Sequence, residues 1–236
     1  MKPTIVFGDI HGIGFWKWVV AEHPTDRIVF LGDYLDPYFY IPSSQLVANL
    51  RNIIDLKKER GDDVVLLLGN HDVHYFDNEA PNSTRRDEQI AYRAKQLFGE
   101  NRHLFAFAFQ DGNTIFTHAG ISQQWFEQDF GGDINRNIAD QLNNPANEQQ
   151  RRAIYNIGYL RGGCDNYGGI VWADIKELTD PLHGYSQIVG HNRVKEITER
   201  TSTVPDTKII FCDSLYNLNY LQITSDDQYI KRHLTA

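Results

Sequence analysis

Cysteine is scarce in this chain. Cys164 and Cys212 stand far apart in 236 residues and form no Cys-x-x-Cys pair, which excludes a zinc knuckle and a disulfide framework and predicts reduced thiols. Long hydrophobic runs are missing too: nothing approaches the roughly 18 consecutive apolar residues of a membrane span. The N-terminus enters an apolar strand without a basic n-region or an h-region, so a soluble, cytoplasmic protein is expected. Positive charge is in deficit, with Lys+Arg 23 against Asp+Glu 31 and a net charge of -8. That balance argues against nonspecific DNA or RNA binding, which needs cations to displace counterions. A small phosphorylated ligand stays compatible, because bound metal can reverse the sign of a site. No Gly/Ser/Pro-rich linker, internal repeat or shift of charge divides the chain, so residues 1–236 are read as one domain. Hydrophobic residues at 41% and aromatics at 12% are enough for a sizeable core.

The element that organises what is present is Thr4 to Gly12, TIVFGDIHG. Ile5 to Phe7 has the length of a buried strand, and Gly8 and Gly12 let the chain turn around Asp9 and His11. A carboxylate and an imidazole two residues apart, beyond the C-terminal end of a strand, suit a divalent metal, although Asp-x-His alone is equally a turn. The pattern repeats. Arg27 to Leu31 runs into Gly32-Asp33-Tyr34-Leu35-Asp36, and Val64 to Leu68 into Gly69-Asn70-His71-Asp72. Between them, a short helix or amphipathic turn is predicted from Phe15 to Val20, with Trp16 and Trp18 in the core, and a helix from Ser43 or Ser44 as cap to Gly61 as stop. This β-α-β-α-β order predicts parallel strands with right-handed crossovers.

Residues 77 to 86 read as a polar loop, with Asn82-Ser83-Thr84 an ordinary loop sequence despite matching a sequon. Asp87 to Phe98 reads as a helix ending at Gly99, and Leu104 to Phe109 as a strand turning at Asp111-Gly112 into Asn113 to Thr117. That strand delivers Thr117-His118-Ala119-Gly120. Residues 123–169, with a helical stretch from Asn147 to Tyr159, are expected to be an insertion that caps the site. Gln187 to Val189 ends in Gly190-His191-Asn192, Lys208 to Cys212 in Asp213-Ser214, and Leu218 to Ile223 with Tyr229 to His233 forms a closing hairpin.

Strand after strand therefore ends on Asp, Asn or His. Asp9, His11, Asp33, Asn70, His118 and His191 supply two carboxylates, an amide and three imidazoles, enough for two metal ions of the Mn, Fe or Zn type with one carboxylate bridging. His74 reads as a solvated or hydrogen-bonded loop histidine, and Asp213 as either a support for the His191 loop or a strand-end turn.

In the order Gly-Asp-x-His, Gly-Asp-x-x-Asp, Gly-Asn-His-Asp, His-Ala-Gly and Gly-His, the sequence resembles the calcineurin-like metallophosphoesterases. It is most similar to the branch holding phosphoprotein phosphatases and bacterial diadenosine tetraphosphatases. The resemblance implies an α/β fold with central mixed β-sheets, a β-sandwich, flanked by helices and carrying the metal site at strand C-terminal ends. It implies that Asp9 and His11 hold a first divalent or trivalent ion, that Asp33 bridges, and that Asn70, His118 and His191 hold a second. A hydroxide shared by the two metals would attack phosphorus directly, with His71 as general acid oriented by Asp36 and with Asn70 also contacting substrate. The substrates implied are phosphomonoesters, phosphoserine and phosphothreonine among them. Alternatives are a nucleotide pyrophosphatase or phosphodiesterase such as a diadenosine tetraphosphatase, or a catalytically silent scaffold. Two departures stand out. Pro37 occupies the place where phosphoprotein phosphatases carry a phosphate-gripping arginine, and Arg161 is the residue in line to supply a second such contact. Arg193 stands where many members have a further histidine, leaving the first metal three protein ligands. Trp172-Ala173-Asp174 is similar to a tryptophan-containing segment of the phosphatase branch.

Overall fold

The computed structural model describes residues 2–201 and 207–234. Two mixed sheets lie at its centre. The first has the order β11-β10-β1-β2-β3-β4, in which β1 (Thr4–Phe7), β2 (Arg27–Phe30), β3 (Val64–Leu67) and β4 (Phe105–Ala106) run parallel. The hairpin of β10 (Asn219–Ile223) and β11 (Tyr229–His233) adds to it antiparallel. The second has the order β5-β6-β7-β9-β8, with β6 (Thr114–Thr117), β7 (Ser186–Val189) and β9 (Lys208–Phe211) parallel. Its edges, β5 (Ala108–Asp111) and β8 (Thr198–Thr201), are antiparallel.

The apolar runs are continuous because both faces of the central strands are covered. In β2 and just past it, Val29 and Leu31 pack between the sheets with Val6, Leu67, Phe116, Ile188 and Ile210. Ile28 and Phe30 point the other way, into a layer built from α1 (Trp16–Glu22), α2 (Ser43–Arg60) and α4 (Glu88–Glu100). Burying each such side chain contributes about 1.5–3 kcal/mol, so the sandwich and its helical layer hold the strand ends rigidly. Cys212 lies between the sheets and Cys164 is exposed, both as free thiols. Among the described residues, no helix is long and apolar enough to cross a membrane.

Several expectations are corrected. The sheets themselves are as expected, mixed and packed as a sandwich, with antiparallel strands at their edges. Leu104 to Phe109 divides, β4 joining the first sheet and β5 the second, so the chain changes sheets at Phe107. Trp18 is 67% exposed, because α1 shows the core only the face carrying Trp16 and Val19. Pro42, not a serine, precedes α2, and α4 runs through Gly99 to Glu100 after Asp87 caps it by accepting from Gln89 N. The helical stretch near Asn147 is α6 (Glu148–Ile154), capped by Asn147 through Gln150 N. It packs on a π-helical turn at Trp125–Phe130, while α5 (Ile138–Asn143) lies against β5. β8 is an additional strand: its sequence TERT has no apolar period and becomes a strand by pairing with β9.

Candidate metal centre

Asp9, His11, Asp33, Asp36, Asn70, His118 and His191 lie where β1, β2, β3, β6 and β7 run out at the C-terminal end of the two sheets. The turns that carry them are tight. His11, Asp33, Asp36 and His191 all have left-handed φ, between 41° and 60°, a conformation that costs a non-glycine residue about 1–2 kcal/mol. Four such residues at one place are held by the surrounding structure, not by local preference. Gly69 is required by close approach, since a Cβ there would sit 2.2 Å from Asp33 Oδ1 and 2.7 Å from His118 Cε1.

Asp72 fixes the geometry between two of these turns. Its Oδ2 accepts from Asp33 N (2.6 Å) and Gly69 N (2.9 Å), and its Oδ1 accepts from Tyr34 N (2.9 Å). The short helix α3 (Asn70–Phe76) then places Asn70, His71 and His74. His71 N donates to Asp33 Oδ1 at 2.8 Å.

The side chains converge around Asp33. Its Oδ2 faces His11 Nε2 at 3.6 Å and its Oδ1 faces His118 Nε2 at 3.6 Å, so the carboxylate lies between two imidazoles. Asp9 Oδ2 is 4.0 Å from His11 Nε2. Asn70 Oδ1 is 3.0 Å from His118 Nε2 and 2.9 Å from His191 Nδ1. All six predicted ligands are thus brought together, in two groups that share Asp33.

Proton placement shows what the groups fit. His118 Nδ1 is 2.8 Å from Leu31 O and His11 Nδ1 is 2.7 Å from Leu35 O. A carbonyl only accepts, so each ring carries its proton on Nδ1. Burial pushes both imidazoles down to about 3, aided at His11 by the neighbouring His71, so both are neutral and their Nε2 atoms are lone pairs. The His118 lone pair is aimed at the oxygens of Asn70 and Asp33. The His11 lone pair is buried without a hydrogen-bond partner, facing two carboxylates, and His191 Nε2 is likewise buried and unpartnered. Acceptors aimed at acceptors are repulsive unless a cation lies among them, and this mixture of imidazole, carboxylate and amide suits Mn, Fe or Zn. The acids agree. Burial, and then repulsion from Asp213 and Asp33, raises Asp9 well above the carboxylate range, and burial followed by Asp72 raises Asp33. Burial pushes Asp213, beside Asp9, up to about 6. Asp213 therefore belongs to the acidic cluster rather than to an ordinary turn.

Beside this cluster stands a second constellation. His71 Nδ1 is 3.0 Å from Asp36 Oδ2, and Tyr75 Oη donates to Asp36 Oδ1 at 2.7 Å. His74 Nε2 lies 3.1 Å from the same Oδ2 that meets His71. Burial alone would raise Asp36, but the bonds from His71, His74 and Tyr75 outweigh it and hold the carboxyl below its usual value. His74 is thus no loop histidine. It is buried on α3 one turn after His71, and that i,i+3 spacing was the signal in the sequence. Ser83, from the sequon-like Asn82-Ser83-Thr84, is buried with Oγ 2.8 Å from His74 Nδ1.

Arg161 lies at the edge of the cluster. Its Nε is 2.9 Å from Asp174 Oδ2, and Nη2 donates to Asn192 Oδ1, next to His191. The Trp172 ring is 5.9 Å from the His191 ring. Arg85 escaped the sequence reading altogether, since a lone arginine in a polar loop carries no pattern. It has left-handed φ of 63°, its Nη2 is 3.1 Å from His71 Nε2, and its guanidinium lies 3.8 Å from the centroid of Tyr38.

Comparison with known proteins agrees with this fold. Among solved structures, the chain is similar to a cold-active protein-tyrosine phosphatase of a psychrophile Shewanella sp., with TM-score 0.57, 16% identity, and coverage of 98% of this chain and 77% of that one. It is also similar to a protein serine/threonine phosphatase from Saccharomyces cerevisiae, described as similar to human phosphatase PP5, with TM-score 0.55, 15% identity, and coverage of 100% and 81%. At these identities the likeness is one of fold. No curated protein sequence matches the chain. Residues 2–211 match the profile of the calcineurin-like phosphoesterases, and with that match over most of its length the chain belongs to the calcineurin-like phosphoesterase family.

Proposed function

We propose that this protein is a metal-dependent phosphomonoesterase, with phosphoserine and phosphothreonine among its substrates, that uses two ions of the Mn, Fe or Zn type. The observation that carries the reading is Asp33 set between the His11 and His118 lone pairs, 3.6 Å from each, beside the Asp36–His71 pair. Asp9, His11 and Asp33 would hold one ion, and Asp33, Asn70, His118 and His191 the other. Ions held there would polarise phosphoryl oxygens and acidify water.

The remaining chemistry belongs to the chain. His71 takes a proton at Nε2 and gives it to the leaving oxygen, while the Asp36 carboxylate, 3.0 Å from Nδ1, stabilises the imidazolium. Tyr75 and His74 keep Asp36 ionised and in place. Asn70 orients the phosphoryl group, and Arg161 adds positive potential beside His191. Residues 123–169 belong to the same single domain and cap the site through the turn that carries Arg161. The two structural neighbours, named as a tyrosine and a serine/threonine phosphatase, are consistent with monoester substrates.

A second reading, a nucleotide pyrophosphatase such as a diadenosine tetraphosphatase, is favoured by the exposed aromatic side chains of Tyr38, Phe39 and Tyr216, which could stack a base. Metal-loaded protein assayed on p-nitrophenyl phosphate, bis(p-nitrophenyl) phosphate and diadenosine tetraphosphate separates these readings. Preference for the first substrate supports the phosphomonoesterase, preference for the last supports the pyrophosphatase, and inactivity on all three would leave a silent scaffold.

A further inference from the structure

Several arginines among the described residues are matched to acids. Arg27 pairs with Asp111 at 2.5 Å, Arg161 with Asp174 at 2.9 Å, and Arg86 with Glu88. Arg85 differs. Among the described residues it makes no ion pair with a carboxylate, although the chain carries a net charge of -8 and Asp36 is close by. Its partners are neutral or only polarisable: Nε donates to Asp36 O at 3.2 Å, Nη2 points at the His71 Nε2 lone pair at 3.1 Å, and the plane lies over Tyr38. The loop also accepts a left-handed φ of 63° at Arg85 to put the group there. Arg85 is an exposed residue, yet these three contacts hold its guanidinium in a fixed orientation at the edge of the candidate reaction site, where an incoming anion can reach it.

We propose that Arg85 grips the nonbridging oxygens of the substrate's phosphoryl group, so that the contact absent at Pro37 is supplied from the loop after α3. The inference rests on the phosphomonoesterase reading. Three details argue for it. The guanidinium meets His71 at Nε2, the atom that faces the leaving oxygen in that reading, so its fork is already within reach of a phosphoryl group there. Its planar fork matches two phosphate oxygens at once, which a lysine would not do. Tyr38, the residue immediately after Pro37, supplies the surface on which the guanidinium rests, and its ring stands 4.9 Å from that of His11. Arg85 is thus braced between the acid constellation and the metal cluster. When a phosphate draws the fork away, His71 Nε2 is released to serve the leaving group.

Arg193 provides the comparison. It also lies over Tyr38, at 5.0 Å, and over Tyr216, at 4.8 Å, but among the described residues it makes no hydrogen bond to His71. A general effect of positive charge at the mouth would make the two arginines equivalent. A grip on the reacting phosphoryl group would not.

The test uses metal-loaded full-length protein, with Arg85→Ala, Arg85→Lys and Arg193→Ala. Losing a charge-assisted contact should cost Arg85→Ala about 10–100-fold in kcat/KM on p-nitrophenyl phosphate and weaken inhibition by inorganic phosphate by a similar factor. The loss on bis(p-nitrophenyl) phosphate should be smaller, because a diester offers one charge and two nonbridging oxygens where a monoester offers two charges and three. Arg85→Lys should recover part of the loss, and Arg193→Ala should lose less than Arg85→Ala. Unchanged phosphate inhibition, equal fractional losses on monoester and diester, or an equal loss in Arg193→Ala would each overturn the proposal. If Arg85→Ala melts early, Arg85→Lys and Arg85→Gln carry the same comparison. If the parent protein is inactive on both esters, the phosphomonoesterase reading fails by itself. Calorimetric binding of inorganic phosphate to metal-loaded parent and Arg85→Ala then decides the role of Arg85, with equal affinities overturning it.

Discussion

His191 N donates to Asp9 Oδ1 at 2.8 Å, joining two residues 182 positions apart and closing the site between the first sheet and the second. Gly190 makes this approach possible, since a Cβ there would stand 2.3 Å from the same oxygen. Gly190→Ala should therefore push Asp9 and the His191 loop apart. We expect about 1–3 kcal/mol of destabilisation in denaturant unfolding and a lower metal content by elemental analysis. Native stability with full metal content would contradict this account of the closure.

His71→Asn should keep its metal and lose about 10²–10⁴-fold in turnover on an alkyl phosphate. With p-nitrophenolate as leaving group, which departs with little need of a proton, the loss should be much smaller. Equal losses on both substrates would remove His71 from the role of acid.

Tyr75→Phe deletes the hydroxyl that donates to Asp36 Oδ1 at 2.7 Å and accepts from Asp87 N at 2.8 Å. Losing a bond to a charged group costs about 1.5–3 kcal/mol, and turnover should fall while metal content stays intact. Thermal unfolding, elemental analysis and steady-state kinetics together check this. A variant that loses metal but retains turnover per bound metal would show that Tyr75 serves the ligands instead.

Metal removal should leave a protein whose stability responds to pH in both directions. Burial raises Asp9 and Asp33, so their contribution is fully present below the unfolded carboxylate range and is lost as pH rises through the folded values. Burial lowers His11 and His118 to about 3, so theirs is present above about 6.5 and is lost as pH falls toward 3. Metal competes with protons for the acids, so the rise in melting temperature on adding Mn or Zn should be larger at pH 8 than at pH 5. A rise independent of pH would argue against buried carboxylates as ligands.

Much of this was legible in the chain because buried strands announce themselves twice. Val64 to Leu68 is apolar on both faces since helices cover one side and the second sheet the other, and the residue after it must turn. Polar residues at such turns are few and conspicuous, so Asp9, Asp33, Asn70, His118 and His191 could be picked out. His74, Asp213 and Arg85 could not be placed with the same assurance. His74 needed the helical register of α3, Asp213 needed the proximity of Asp9, and Arg85 needed the fold of a loop without periodicity.

By itself, the sequence determined the order of the strands, the residue types at their ends and the donor set those types provide, because burial and turn chemistry act locally along the chain. Only the tertiary structure decided which strands go to which sheet, that polar Thr198–Thr201 becomes an edge strand, and that Arg85 rests on Tyr38 against His71. Those outcomes depend on pairings between distant segments, whose geometry is set by packing across the sandwich and not by any neighbouring residue.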